Sequence, residues 1–136
     1  MLTIHKNDLQ LLFQHCEREY PNEACGILAG KDRRVEKVYS LTSEVPSPAF
    51  YRIDASDHFR VIREMRAAGT DLLGIYHSHT AGPAFPSVTD VELAFYPEAV
   101  YVIVSLMDRT HPAAKGYSIV DGNIAEVLLN IVDEEL

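Results

Sequence analysis

The run Val100-Tyr101-Val102-Ile103-Val104 is apolar or aromatic at every position. Successive side chains on a strand point to opposite faces, so a strand with no polar alternation must be covered on both sides. Ala24-Cys25-Gly26-Ile27-Leu28-Ala29 is a second small, apolar run that suits a buried strand. Around these runs lie two helical periods. Leu9, Leu12, Phe13, Cys16 and Tyr20 share one helical face, with Asn7 or Asp8 as the cap and Pro21-Asn22 as the end. Ser56 reads as the N-cap of a second helix that turns Phe59, Ile62 and Met65 inward and stops at Gly69. Further strands are expected over 2–4, 35–39, 50–53, 72–79, 115–120 and 124–132, with a turn at Gly30-Lys31-Asp32 and a hairpin at Asp121-Gly122. This order predicts an α/β class with a mixed sheet flanked by helices.

The chain has 136 residues, which fits one compact domain over 1–136 and leaves no room for two. Its 12 Lys+Arg stand against 20 Asp+Glu, a formal net charge of -8, and its basic residues form no stripe. A phosphate backbone would be repelled, so nucleic acid is not an expected partner. No apolar run is long enough for a membrane helix and the first residues carry no export signal, so a cytoplasmic protein with no membrane partner is expected. The two cysteines, Cys16 and Cys25, are then expected to be reduced and packed in the core.

The chemistry-bearing stretch is Gly74-Ile75-Tyr76-His77-Ser78-His79, followed after seven residues by Ser87-Val88-Thr89-Asp90. On a strand, His77 and His79 point to one face. Asp90, in the first turn of a short helix starting near Ser87, folds back to supply a carboxylate oxygen. Two His and one Asp leave a tetrahedral Zn²⁺ with one position open to water, the arrangement of a catalytic site. Such a site needs a base, and the chain has eleven glutamates. Glu23 immediately precedes the buried run ACGIL, where a charge has to have a reason. Ser87 is the candidate donor to the oxyanion.

Each of these residues also has a structural reading. A histidine at a strand end is often merely hydrogen-bonded, and Ser87-x-x-Asp90 fits a capping box. Glu23 also suits a helix terminus or an arginine partner. Tyr51 and Arg52 are placed to contact a substrate carboxylate, or simply lie on a half-exposed strand. His5, His15, His58 and His111 have no partner at ligand spacing and read as surface or helix residues.

HSH, seven residues and SxxD, with an upstream Glu in PNEACGIL, resembles the JAMM (MPN+) metalloprotease motif. The resemblance implies an MPN fold, one Zn²⁺ per chain held by His77, His79 and Asp90, Glu23 as general acid/base and Ser87 as oxyanion stabiliser. The family usually has Pro after the second His, where this chain has Thr80. HSHTA, PSxTD, NEACG and the later YSIVDG make the chain similar to the bacterial Mec-type branch. That similarity implies release of cysteine from the C-terminal Gly-Gly end of a ubiquitin-like sulfur-carrier protein. Removal of other ubiquitin-like modifiers by an isopeptidase, and a metal-free MPN scaffold, are the alternatives, as is a purely structural zinc.

Overall fold

The computed structural model describes residues 1–133; 134–136, the last three of the expected domain, lie outside the described residues. The elements run β1 (Leu2–His5), α1 (Lys6–Glu19), β2 (Cys25–Lys31), β3 (Arg34–Leu41), α2 (Ala55–Ala68), β4 (Asp71–His79), α3 (Val88–Glu92), β5 (Val100–Ser105), β6 (Ala113–Val120), β7 (Asn123–Val127) and β8 (Leu129–Val132). They form one mixed eight-stranded sheet in the order β7-β6-β5-β4-β2-β3-β1-β8. β4 pairs with β5 in parallel and with β2 antiparallel. β7 and β8 sit at opposite ends of that order although only Leu128 separates them in sequence, so the sheet curls until it is almost closed.

The two strands read as buried on both faces are so. On β2, Leu28 packs with Leu12 and Cys16 of α1, whereas Cys25, Ile27 and Ala29 pack with Val61 and Met65 of α2. Neighbouring residues of one strand face opposite ways, so α1 and α2 cover opposite faces of the sheet. On β5, Val100, Val102 and Val104 join the α1 side, and Tyr101 and Ile103 join a third cluster with Ile75, Tyr117 and Ile119. Tyr76 of β4 belongs to the α1 side, which turns His77 and His79 toward the opposite face.

Several local expectations are corrected. The cap of α1 is His5, whose Nδ1 accepts from the Asn7 amide at 3.0 Å, not Asn7 or Asp8. The cap of α2 is Asp54, whose carboxylate accepts from the Asp57 amide, and Ser56 donates to that carboxylate from inside the first turn. Phe59 is 66% exposed rather than inward. At about 100° per residue it stands about 200° around the helix from Val61, one of the two buried residues of α2. The turn after β2 is formed by Asp32 and Arg33, both at positive φ (52° and 60°), as a two-residue hairpin turn demands. Gly30 lies in the strand instead, at an irregular register, where a Cβ would run into the Arg34 carbonyl. Residues 50–53 form no strand; a single bridge joins Ser43 to Ile53, because Pro46 and Pro48 break the ladder before it. The closing strand expected over 124–132 is two strands broken at Leu128, and only the second reaches β1. Asp121 and Gly122, at φ 51° and 78°, make the expected hairpin.

One close approach is severe. A Cβ on Gly26 would collide with the hydroxyl edge of the Tyr76 ring, and that ring is held by a 2.7 Å hydrogen bond between its hydroxyl and His15 Nδ1 in the core. His15 is therefore a buried helix residue, not a surface one. Gly26→Ala is expected to cost about 3 kcal/mol by overpacking. A urea midpoint equal to that of the wild type contradicts this.

Candidate functional site

β4 ends with its last two odd-numbered side chains, His77 and His79, on the face away from α1. α3 begins beyond the loop 80–86, and its first turn brings Asp90 over the strand end. His77 Nε2 and His79 Nε2 lie 3.1 Å apart. Asp90 spans both, with Oδ1 3.1 Å from His77 Nε2 and Oδ2 2.9 Å from His79 Nε2. These three are the one metal-competent group of three or more His, Cys, Asp or Glu side chains among the described residues.

The donor set fits a small divalent cation. The separations are those of atoms that share one tetrahedral ion. His79 Nδ1 is 2.9 Å from the Pro83 carbonyl, so a ring proton held there leaves Nε2 with its lone pair toward the site. Asp90 is fixed from the other side. Its Oδ2 accepts from the Ser87 amide at 2.8 Å, and its own amide donates to Ser87 Oγ at 3.1 Å. The capping-box reading of Ser87 and Asp90 is thus realised, and it orients the candidate ligand. Because Ser87 Oγ accepts that bond, its own proton remains to be donated into the cleft. His77 is 1% exposed, and its Nδ1 is a buried polar atom without a hydrogen-bond partner among the described residues. A stranded polar atom is costly and calls for a functional explanation.

Burial opposes the charge on Asp90, but hydrogen bonds from His77 and His79, the positive potential of His77 and the Ser87 amide win, and its carboxyl is held well below the usual range. For His79, burial disfavours the cation, yet the bonds to Asp90 and Pro83 outweigh it and its pKa is raised.

Glu23 stands just before β2 and is 7% exposed. Burial pushes its carboxyl up to about 7, with His79 lowering it and Asp90 raising it. It shares a cleft of about 210 Å³ with His79, Thr80 and Ser87. Two contacts hold it there: its amide donates to the Ser47 carbonyl at 2.8 Å, and the next amide, Ala24, donates to Ser78 Oγ at 2.9 Å. Ser78 was not singled out by its sequence, although its place between the two histidines puts it on the opposite face, pointing into the core.

Tyr51 is the second residue with more to do than its sequence suggested. Its ring stacks on His77 with centroids 4.8 Å apart and planes at 29°. Arg52, by contrast, pairs with Glu44 at 3.0 Å. Cys25 faces His77 across the β2–β4 ladder, but burial, then the charges of Asp57, Glu19 and Glu23, push its thiol up to about 12. It is a core residue with no thiolate to offer, and Cys16 is likewise free and buried.

The family described as prokaryotic homologs of the JAB domain matches residues 5–117. The chain belongs to that family. Relatives of this JAB-domain chain include the CysO-cysteine peptidase of Mycobacterium tuberculosis, 40% identical over 136 residues that cover 98% of this chain and 93% of the relative. A protein from Desulfitobacterium hafniense of known solution structure superposes with a TM-score of 0.89 at 34% identity, covering 98% of this chain and 94% of the other. A JAB1/MPN domain protein from Archaeoglobus fulgidus shares the fold, with a TM-score of 0.67 at 20% identity over 96% and 97% of the two chains. The fold is accordingly of the JAB1/MPN type, and the JAB-domain chain is a metallopeptidase of the JAMM kind. No helix among the described residues is long and apolar enough to cross a membrane.

In the metal-free protein the raised Glu23 carboxyl makes stability depend on pH. Folded Glu23 keeps its proton up to about 7, whereas its ordinary pKa is 4.5. The folded state therefore binds more protons in that window, and stability falls as pH rises through it, then levels off. Denaturant midpoints in chelator at about pH 5 and about pH 8 should fall further for wild type than for Glu23→Gln. Parallel pH profiles for the two proteins contradict the assignment.

Proposed function

We propose that this JAB-domain chain is a zinc metallopeptidase, one domain with one Zn²⁺, that removes cysteine from the Gly-Gly end of a ubiquitin-like sulfur-carrier protein. The observation that carries the chemistry is the convergence of two imidazoles and one carboxylate on a point beside a buried, readily protonated glutamate. The substrate reading draws on the 40% identity, along nearly the whole chain, to a peptidase named for release of cysteine from CysO.

His77, His79 and Asp90 are the residues that would hold the ion. Bound there, zinc supplies Lewis-acid polarisation of the scissile carbonyl and acidifies the attacking water. Glu23 accepts the proton that water loses as its oxygen bonds to the carbonyl carbon. Its pKa, raised by burial, lets it return that proton to the departing nitrogen as the C–N bond breaks, so one carboxyl serves as base and then acid. The Ser87 hydroxyl, engaged only as an acceptor by Asp90, donates to the oxyanion. Tyr51, stacked on His77, walls off one side of the ligand set from water. The products are the carrier's terminal carboxylate and a free amino acid.

The test is mass spectrometry of a Gly-Gly-ending carrier bearing an added C-terminal cysteine. Zinc-loaded wild type should remove one cysteine; chelated protein should not. Glu23→Gln should lose at least about 100-fold in kcat while keeping its zinc, because general acid–base catalysis is worth that much. An intact carrier after incubation with zinc-loaded wild type sinks the cysteine-releasing reading.

A further inference from the structure

The cleft beside Glu23 has walls tied down on both sides. One wall is the loop after β4. Ser105 Oγ donates to the Gly82 carbonyl at 2.7 Å, and His79 Nδ1 engages the Pro83 carbonyl at 2.9 Å. The other wall is the segment Ser47-Pro48-Ala49. Its two successive carbonyls are both caught: Ser47 by the Glu23 amide at 2.8 Å and Pro48 by the Thr80 hydroxyl at 3.1 Å. Thr80 is 9% exposed while Pro48 is exposed, so the bond ties a surface loop to a buried side chain.

Which half of a substrate lies here follows from the general acid. The group that protonates a departing nitrogen must lie within hydrogen-bond reach of it. Glu23 and Ser87 both line this cleft, so the scissile carbonyl lies at its edge and the leaving amine belongs here beside Glu23. The cleft measures about 210 Å³, below the roughly 300–1,000 Å³ of pockets that take drug-sized ligands. That is room for one amino acid. Its walls of Pro48, Ala49, Ala81 and Gly82 offer backbone and short side chains, against which the substituents on an amino acid's α-carbon can pack.

We propose that Thr80 is a positioning residue for the leaving group: by clasping the Pro48 carbonyl it holds the wall on which a departing amino acid packs. This rests on the peptidase reading above. A proline at position 80, usual in the motif that the sequence resembles, has no hydroxyl to donate, so the clasp depends on the threonine found here. The wall touches the amino acid before and during reaction alike. Losing it removes uniform binding, which raises KM and leaves kcat in place.

Thr80→Val keeps the side-chain shape and deletes the donor; Thr80→Ser restores it. With the cysteine-bearing carrier, Thr80→Val is expected to raise KM about tenfold with kcat within about twofold of wild type and an unchanged pH profile of kcat. Thr80→Ser should return KM to the wild-type value. Amide hydrogen exchange tests the clasp without any substrate: the Glu23 amide, bonded to Ser47, should exchange at least about tenfold faster in Thr80→Val than in wild type. An unaltered KM, or a rise that Thr80→Ser fails to reverse, overturns the proposal. Should wild type cleave nothing, the peptidase reading falls, and the exchange rate alone decides whether Thr80 holds the wall; an unchanged rate rejects it.

Discussion

The register between β2 and β4 sets the geometry of the whole site. It places Cys25 opposite His77, so the chain just upstream of β2 runs past the end of β4 where the imidazoles are. Ser78 then extends the ladder beyond the paired strands. Its amide donates to the Ala24 carbonyl at 3.1 Å while its hydroxyl accepts from the Ala24 amide. Glu23 is thereby delivered within the field of His79 and Asp90 without a hydrogen bond or ion pair of its own to a histidine among the described residues. A slip of β4 by one residue would turn both imidazoles to the α1 face and bring Ser78 out in their place. The apolar residues that alternate with them, Tyr76 inward on one side and Ile75 on the other, make that slip expensive.

The charges at the site divide their work through solvation. Asp90 is tied by two imidazoles and a helix-capping amide, so it stays ionised despite burial. Glu23 has no such bonds, and the penalty of burial outweighs the pull of His79, so its proton is loosely held near neutrality. Two neighbouring carboxyl groups thus behave differently, one staying ionised and the other readily protonated. The difference comes from hydrogen-bond partners, not from depth.

The parts of this arrangement that were visible in the sequence are those governed by spacing. His77 and His79 share a face because strands have period two, and Ser87 and Asp90 cap a helix because a three-residue offset permits it. The double-sided burial of β2 and β5 was equally plain from their composition. What could not be read depends on distant partners. Phe59 looks inward by period, but the rotation of α2 is set by how Val61 and Met65 seat on β2. Gly30 looks like a turn residue, yet it answers to a steric demand from Arg34 across the strand. Tyr51 sits in a stretch whose residue types favour a strand, and its stacking on His77 depends on a partner on another element that no local pattern announces.

The nearly closed sheet also bears on how the chain reaches this state. β1 and β8 lie side by side, and Asn130 donates to Thr3 across 127 positions of sequence. β1 is made before β8, yet its outer edge stays open until that strand has been threaded beside it. Loop closure over such a span is slow. During that interval β1 presents an unpaired edge of Leu2, Thr3 and Ile4, and it is there, far from the histidines, that a newly made molecule is most open to pairing with a neighbour's strand.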